Sequence, residues 1–371
     1  MEKSQIQRLQ SLDALRGFDM FWIIGGGGIF AGLASLSDWS IFNWWANQLT
    51  HVEWHGFAFF DMIFPLFLFI AGISFPFSLA KSHQKGASRK ELYYKIIRRG
   101  ILLVLFGLIY NGILKFNFEN FRYASVLGRI GISWMFAALI FFNTKKATSR
   151  IIWCFGLLIF YWLLLALVPA PDFPGADRFS AEGNFSCYFD RIFLPGRLHG
   201  KVFDPEGLLG IIPAVSTALL GMLTGQFVMQ RKDALSDNKK TLYMILAGII
   251  LIAIGLLWNI IFPINKALWS SSFVCFVGGL SLLLFSLFYY IIDVLKYQKW
   301  AFFFTIIGLN SITIYLAQGI INFHSTSRSL FGGMIGLCPE AWHGFLNSTA
   351  HVAVCWAFLY FLYRQKIFLK V

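Results

Sequence analysis

Between His51 and Gly72 the chain reads HVEWHGFAFFDMIFPLFLFIAG. His51, Glu53 and His55 stand at the mouth of an apolar segment, and Asp61 lies inside it. Histidine exchanges a proton near neutral pH, so it suits a reaction in which a nucleophile must lose one. Ionisable groups beside or within an apolar segment need partners or water, which makes them candidate functional groups. If residues 51–65 form one helix, His51, Trp54, Ala58, Asp61 and Pro65 share a stripe, with His51 and Asp61 about 15 Å apart along its axis. They cannot hydrogen-bond in that geometry. Either the chain turns near Gly56, or Asp61 has its own partner. An Asp61–Arg129 pair would satisfy two buried charges at once. Asp19, a further intramembrane acid, reads as structural.

Four more constellations carry polar chemistry. Arg122 and Arg129, seven apart, are expected on one helix side. Asp204-Pro205-Glu206-Gly207 places two acids at the start of an apolar segment, where they cap a helix or bind a cationic amine. Pro263 to Ser270 contains Lys266 and Trp269, and Gly308-Leu309-Asn310-Ser311 puts Asn310 within an apolar run. Asp13 and Arg16 precede the first apolar segment and Arg98 and Arg99 open the third. Cations at such a mouth hold phosphates or simply follow membrane topology.

The elements that must position these groups are membrane helices. The 371 residues are 57% hydrophobic and only 13% charged, with 42 phenylalanines and a mean hydropathy of +0.66. The predicted fold is an all-α polytopic bundle of ten spans, at roughly 14–33, 56–80, 96–114, 123–142, 150–169, 207–229, 241–261, 268–292, 301–321 and 344–363. A net charge of +13 raises nucleic acid as a partner, but the basic residues sit in short loops between apolar segments. That is the positive-inside pattern, and it puts both termini in the cytoplasm. Lys81 to Arg99, Lys145 to Arg150, Arg231 to Lys240, Lys296, Lys299 and Arg364 to Lys370 then face inward, and most acids, Asp38 among them, face outward. Met1 to Arg8 is polar and the first apolar stretch runs on too far for a cleavable signal peptide.

The chain reads as one domain, 1–371, with outer loops at 35–54, 170–206 and 322–343. Two of these loops are rich in aromatic side chains, which suits a ligand with flat faces such as a sugar, or an interfacial belt. Gly25 to Gly28 should break the first span, as happens where a helix lines an enclosed cavity. Cys187 and Cys338 both fall in outer loops, where an oxidising compartment would let them pair. No Cys-x-x-Cys motif is present, and no metal site is expected.

Arg8-Leu9-Gln10-Ser11-Leu12-Asp13-Ala14-Leu15-Arg16-Gly17 resembles the opening motif of the heparan-alpha-glucosaminide N-acetyltransferase family. The resemblance continues, in order, through His51-x-x-Trp54-x-Gly56 with Asp61 and Phe64-Pro65, Arg122 to Ile132, Asp204 to Gly210, Pro263 to Ser270 and Gly308 to Ile312. It resembles a compact, bacterial-type member, without the extra lumenal domain and first span of the lysosomal enzyme. It implies ten or eleven transmembrane helices, a homodimer, an inner-membrane location and transmembrane acetyl transfer. Acetyl-CoA would enter from the cytosol, and the acceptor would be the amine of a terminal glucosamine or a related glycosaminoglycan-derived sugar.

The family's active-site histidine falls on His51 and its aspartate on Asp61. Its Trp-Asn-Gly is Trp54-His55-Gly56 here, and Gly27 replaces an asparagine, so His55 or Asn310 would supply the missing polar group. Arg16, Arg98, Arg99 and Arg129 are then the cationic candidates for the cofactor, with Gly26 and Gly27 along its pantetheine channel. Trp54, Asp204, Glu206, Lys266 and Trp269 are the candidates for the acceptor. His51 acts as general base or as acetyl carrier. Two other readings fit the residues: an O-acyltransferase of an envelope glycan, and a sugar transporter with broken helices.

Overall fold

The computed structural model describes residues 9–37, 39–230 and 234–369. Arg8, Asp38, Arg231, Lys232 and Lys370 lie outside the described residues. The α-helices are α1 Gln10–Phe21, α2 Gly27–Leu36, α3 Ser40–Gln48, α4 Ile63–Gln84, α5 Arg89–Tyr110, α6 Val126–Asn143, α7 Ala147–Leu167 and α8 Phe185–Phe193. They continue as α9 Ile211–Val228, α10 Asp237–Trp258, α11 Ser271–Phe288, α12 Phe302–Leu309, α13 Ser311–Ile320, α14 Phe323–Gly336 and α15 His343–Arg364.

Among the described residues, eight helices are long and apolar enough to cross a membrane, or nine if α12 and α13, bent by 67°, form one broken span. The predicted third span corresponds to α5. That helix is 22 residues long, but even its last eighteen residues hold Lys95, Arg98 and Arg99. The first span begins earlier than expected, so Asp13 and Arg16 lie within α1, one turn apart and 3.5 Å from each other.

Glycines set the closest helix contacts. Between α4 and α9, Gly72 lies against the backbone of Ala218, Gly221 against Phe69 and Gly225 against Ile73. Between α1 and α12, Gly17 lies against Phe304 and Gly308 against Asp13. Backbones approach this closely only where no Cβ intervenes, which is how packing alone holds helices together in lipid. The main core joins α4, α6, α9 and α11, and a smaller cluster joins α1, α12, α13 and α15.

The break expected at Gly25 to Gly28 is present. α1 passes into α2 through a π-helical segment, Trp22–Gly26, in which Gly25 takes φ +116°. Only glycine adopts that conformation readily. α3 differs: none of its residues is buried, and Trp39 and Trp44 are exposed, as in an interfacial belt.

Candidate active site

The helix expected from residue 51 does not form. Residues 51–58 run irregularly, with Gly56 at φ +116°. Gly56 N–H donates to the Ile264 carbonyl at 2.8 Å, tying this strip to the loop between α10 and α11. A 3-10 turn, Phe59–Met62, then leads into α4. Its start is held by Asp61 Oδ2, which accepts from Ala58 N–H at 3.0 Å, and by Gln48, which accepts from Phe59 N–H. Because the chain turns before α4, His51 folds back over it. His51 Nδ1 lies 2.7 Å from Asp61 Oδ1, which corrects the 15 Å separation read from the stripe.

Lys266 completes the group. Its Nζ lies 3.1 Å from His51 Nδ1 and 3.2 Å from Nε2, and 3.5 Å from Asp61 Oδ1. The Asp61 side chain is 1% exposed, whereas that of His51 is 50% exposed. A carboxylate only accepts, so Nδ1 is the nitrogen that donates to it, and in the neutral ring the lone pair then sits on Nε2. Burial lowers the pKa of Lys266, while Asp61 and Glu206 raise it; the net shift is downward. The Pro263 to Ser270 motif builds the loop that carries this lysine. Asn259 Oδ1 accepts from Ile264 N–H, Asn265 Oδ1 accepts from Leu268 N–H, and Asn265 N–H donates to Ser270 Oγ.

Asp61 therefore does not pair with Arg129. Arg129 donates to the Gly207 carbonyl at 2.8 Å and stacks 5.1 Å from the centre of the Trp269 ring. Arg122 is not on the same helix side, because it precedes α6 in an extended strip bridged to Gly196. It clamps Asp204 through Nε at 2.8 Å and Nη2 at 2.6 Å, and it also contacts Glu206. Burial alone would lower its pKa; hydrogen bonding to Asp204 and the two acidic charges outweigh that and raise it. For Asp204, burial raises the pKa and the Arg122 contacts lower it, for a net downward shift.

His51, Glu206 and Lys266 line one cavity of about 230 Å³ whose other walls, including Met20, Phe64, Ile130 and Tyr315, are mostly apolar. Phe60 packs against His51 with ring centres 4.9 Å apart. Sequence reasoning missed Tyr315. The signal for it was weak: Ile312 and Tyr315 fall three apart on the helix after Asn310, a spacing that puts both on one wall.

The remaining candidates lie elsewhere. His55 Nδ1 accepts from Asn265 Nδ2 at 3.3 Å, and burial lowers its pKa, partly countered by Asp177. Trp54 Nε1 donates to the Phe179 carbonyl at 2.7 Å, which fastens the 170–206 loop over this end of the bundle. Trp269 is fully buried, donates to Thr217 Oγ1 and packs on Phe64. Asn310 Nδ2 donates to the Ile367 carbonyl at 2.9 Å, and its Oδ1 accepts from Leu369 N–H. Gly26 packs against the Phe21 ring, and Leu49 is the residue facing Gly27.

Cys187 and Cys338 are both free thiols. The Cys187 side chain is buried in α8, and Cys338 Sγ turns back to the Met334 carbonyl.

At the opposite end of α4 lies a basic cavity of about 230 Å³, lined among others by Ser78, Ser82, Lys95, Arg98 and Arg99. Ser78 is seventeen residues beyond Asp61, roughly 25 Å along a helix. Arg99 sits 4.2 Å over the Trp134 ring, and Arg16 donates to Ser74 Oγ at 3.1 Å.

The profile of the family described as "Heparan-alpha-glucosaminide N-acetyltransferase, catalytic" matches residues 8–253. The chain belongs to this family. It is similar to the heparan-alpha-glucosaminide N-acetyltransferases of Homo sapiens and Mus musculus, at 27% identity over 424 and 426 aligned positions. Those alignments cover 98% and 100% of this chain and 60% and 61% of the relatives. The chain thus spans about 60% of the length of the curated heparan-alpha-glucosaminide N-acetyltransferases it matches. His51, Asp61, Asp204 and Glu206 lie inside the part that matches the family profile, and Lys266 lies beyond it.

Proposed function

We propose that this membrane protein transfers the acetyl group of cytosolic acetyl-CoA to the amine of a terminal glucosamine or related amino sugar on the periplasmic side. The contact between His51 Nδ1 and Asp61 carries this reading. It leaves Nε2 as a base at the mouth of a largely apolar cavity. The family and the names of its two relatives support the acetyl donor and the amino-sugar acceptor. The family resemblance also favours a homodimer in a bacterial inner membrane.

An amino-sugar ammonium must lose a proton before it can attack. His51 Nε2 takes that proton, and Asp61 stabilises the imidazolium that results. The amine nitrogen attacks the thioester carbonyl carbon. The carbonyl oxygen becomes an oxyanion, for which Lys266 Nζ is the nearest donor to the histidine. The C–S bond then breaks, and the second proton of the attacking nitrogen passes to the departing thiolate as the amide forms. Glu206, on the same cavity wall, attracts the incoming ammonium. Lys95, Arg98 and Arg99, about a membrane's depth away, suit the phosphates of the donor.

The test is sealed vesicles given radiolabelled acetyl-CoA on one side and a panel of amino sugars on the other. Label should appear on the sugar, and a His51→Ala variant should lose it. A sugar that crosses without acetyl-CoA consumption, or full transfer by His51→Ala, overturns the proposal.

A further inference from the structure

A second cavity, of about 430 Å³, shares Ile23 with the cavity beneath His51. Its wall includes Gly25, Tyr110, Gln318, Asn322, His324 and His351. The two are also joined by a ring pair. Tyr110 stacks on Tyr315 with centres 4.5 Å apart, and Tyr315 lines the first cavity. The π-helical segment makes room for His351: a Cβ at Gly25 would come within 3.0 Å of the imidazole Cδ2. His324 lies flat on His351, with ring centres 3.8 Å apart and planes within 10°. His351 is 5% exposed, and its Nδ1 is buried with no hydrogen-bond partner among the described residues.

The chemistry of this wall narrows what it can hold. Among the described residues, no Asp, Glu, Lys or Arg lines the cavity. A charged ligand would therefore lose hydration without meeting a counter-ion. A purely apolar ligand would cover the phenol of Tyr110, two carboxamides and two imidazoles without pairing them, at greatest cost for the buried His351 and the half-buried Gln318. Groups that both donate and accept match hydroxyls, which do the same. The ring of Tyr110, exposed at this wall, suits the C–H face of a sugar ring.

We propose that this cavity is a second saccharide subsite, which holds a neutral sugar ring linked to the reacting amino sugar. The inference rests on the acetyl-transfer reading and names the acceptor more closely. A uronic acid in this position would bring a carboxylate with no cation to meet it.

The experiment compares three acceptors at pH 8, above the ordinary histidine pKa of about 6.5. They are glucosamine, glucosaminyl-hexose and glucosaminyl-uronic acid, each read by KM and by direct binding in detergent. Gln318→Leu and His324→Leu are tested beside the wild type, and neither belongs to the His51 group. In the wild type, glucosaminyl-hexose should show a KM about tenfold below the other two, the equivalent of one or two net hydrogen bonds. Each variant should raise that KM about fivefold and leave the KM for glucosamine unchanged.

Equal KM values for the three acceptors, or variants that raise all three alike, overturn the subsite. If no acceptor is acetylated, the acetyl-transfer reading fails, and binding still decides the subsite. Tighter binding of glucosaminyl-hexose that the variants abolish sustains it. Equal binding of all three sugars removes it.

Discussion

Lys266 Nζ sits 3.2 Å from Nε2 of His51 and 3.5 Å from Asp61 Oδ1. Two carriers of positive charge thus share one buried carboxylate. Among the described residues, the lysine also supplies the only side-chain ammonium lining the His51 cavity.

If Lys266 donates to the oxyanion, its protonated form is the active one. Burial lowers its pKa, so the donor is lost as pH rises through a value below the ordinary lysine range of about 10.4. The rate of acetyl transfer should therefore fall at alkaline pH. A Lys266→Arg variant, which stays protonated, should lack that alkaline limb. A pH profile of kcat/KM for the two proteins checks this.

Asp61→Asn should keep the fold, since an amide oxygen can still accept from Ala58 N–H. It removes the charge that stabilises the imidazolium. Transfer should fall by about a hundredfold or more, and His51→Ala by about 10² to 10⁴. Labelled transfer rates, with thermal unfolding as the control, measure both.

Arg122 serves two acids. Arg122→Ala would strand the buried Asp204 beside Glu206, a loss of about 3 to 5 kcal/mol. Asp204 is held below its ordinary pKa, so its contribution is present above about pH 3.9 and is lost as pH falls through the lower folded value. Thermal melts in detergent should show the variant unfolding about 4 to 6 °C earlier or failing to accumulate. A melt unchanged within about 1 °C would remove this role.

Asp190 behaves in the opposite sense. Burial raises its pKa to about 7, although its Oδ1 accepts from Leu208 N–H at 2.7 Å. The folded state therefore favours the protonated acid. That contribution is full below about pH 3.9 and is lost as pH rises through about 7. Asp190→Asn keeps the acceptor and removes the titration. Its stability should change less between pH 4 and 7 and exceed the wild type's at pH 8, as read by melts across that range.

The α4–α9 contact gives a packing prediction. Gly221→Val would push a side chain into the Phe69 carbonyl, for a loss of about 3 kcal/mol. Gly156→Ala, with nothing within 4 Å, should be silent. Size-exclusion profiles of the two variants separate these outcomes.

Which of these relationships the sequence discloses depends on their range. Hydropathy reports local burial, so the spans and the break at Gly25 are legible. His51 and Asp61 are legible as candidates through their place beside an apolar run. Their contact is not, because the stripe argument takes residues 51–65 as helix, and the irregular strip is held from outside by Ile264 and Gln48. Arg129 misleads for a related reason. Its charge is visible in the sequence, but its partners are a backbone carbonyl and an indole supplied by distant segments. Cys187 and Cys338 share a side of the bundle by pattern, while their burial and direction come from α8 and the end of α14.

The glycine contacts have a mechanical consequence. With no side chains between them, α4 and α9 cannot slide or part without losing their backbone contact, and α1 and α12 are joined in the same way. His51's platform and the acids before α9 therefore travel as one body. What these contacts leave unclamped are the segments beyond the two breaks, α2 after Gly25 and α13 after the 67° bend at Asn310.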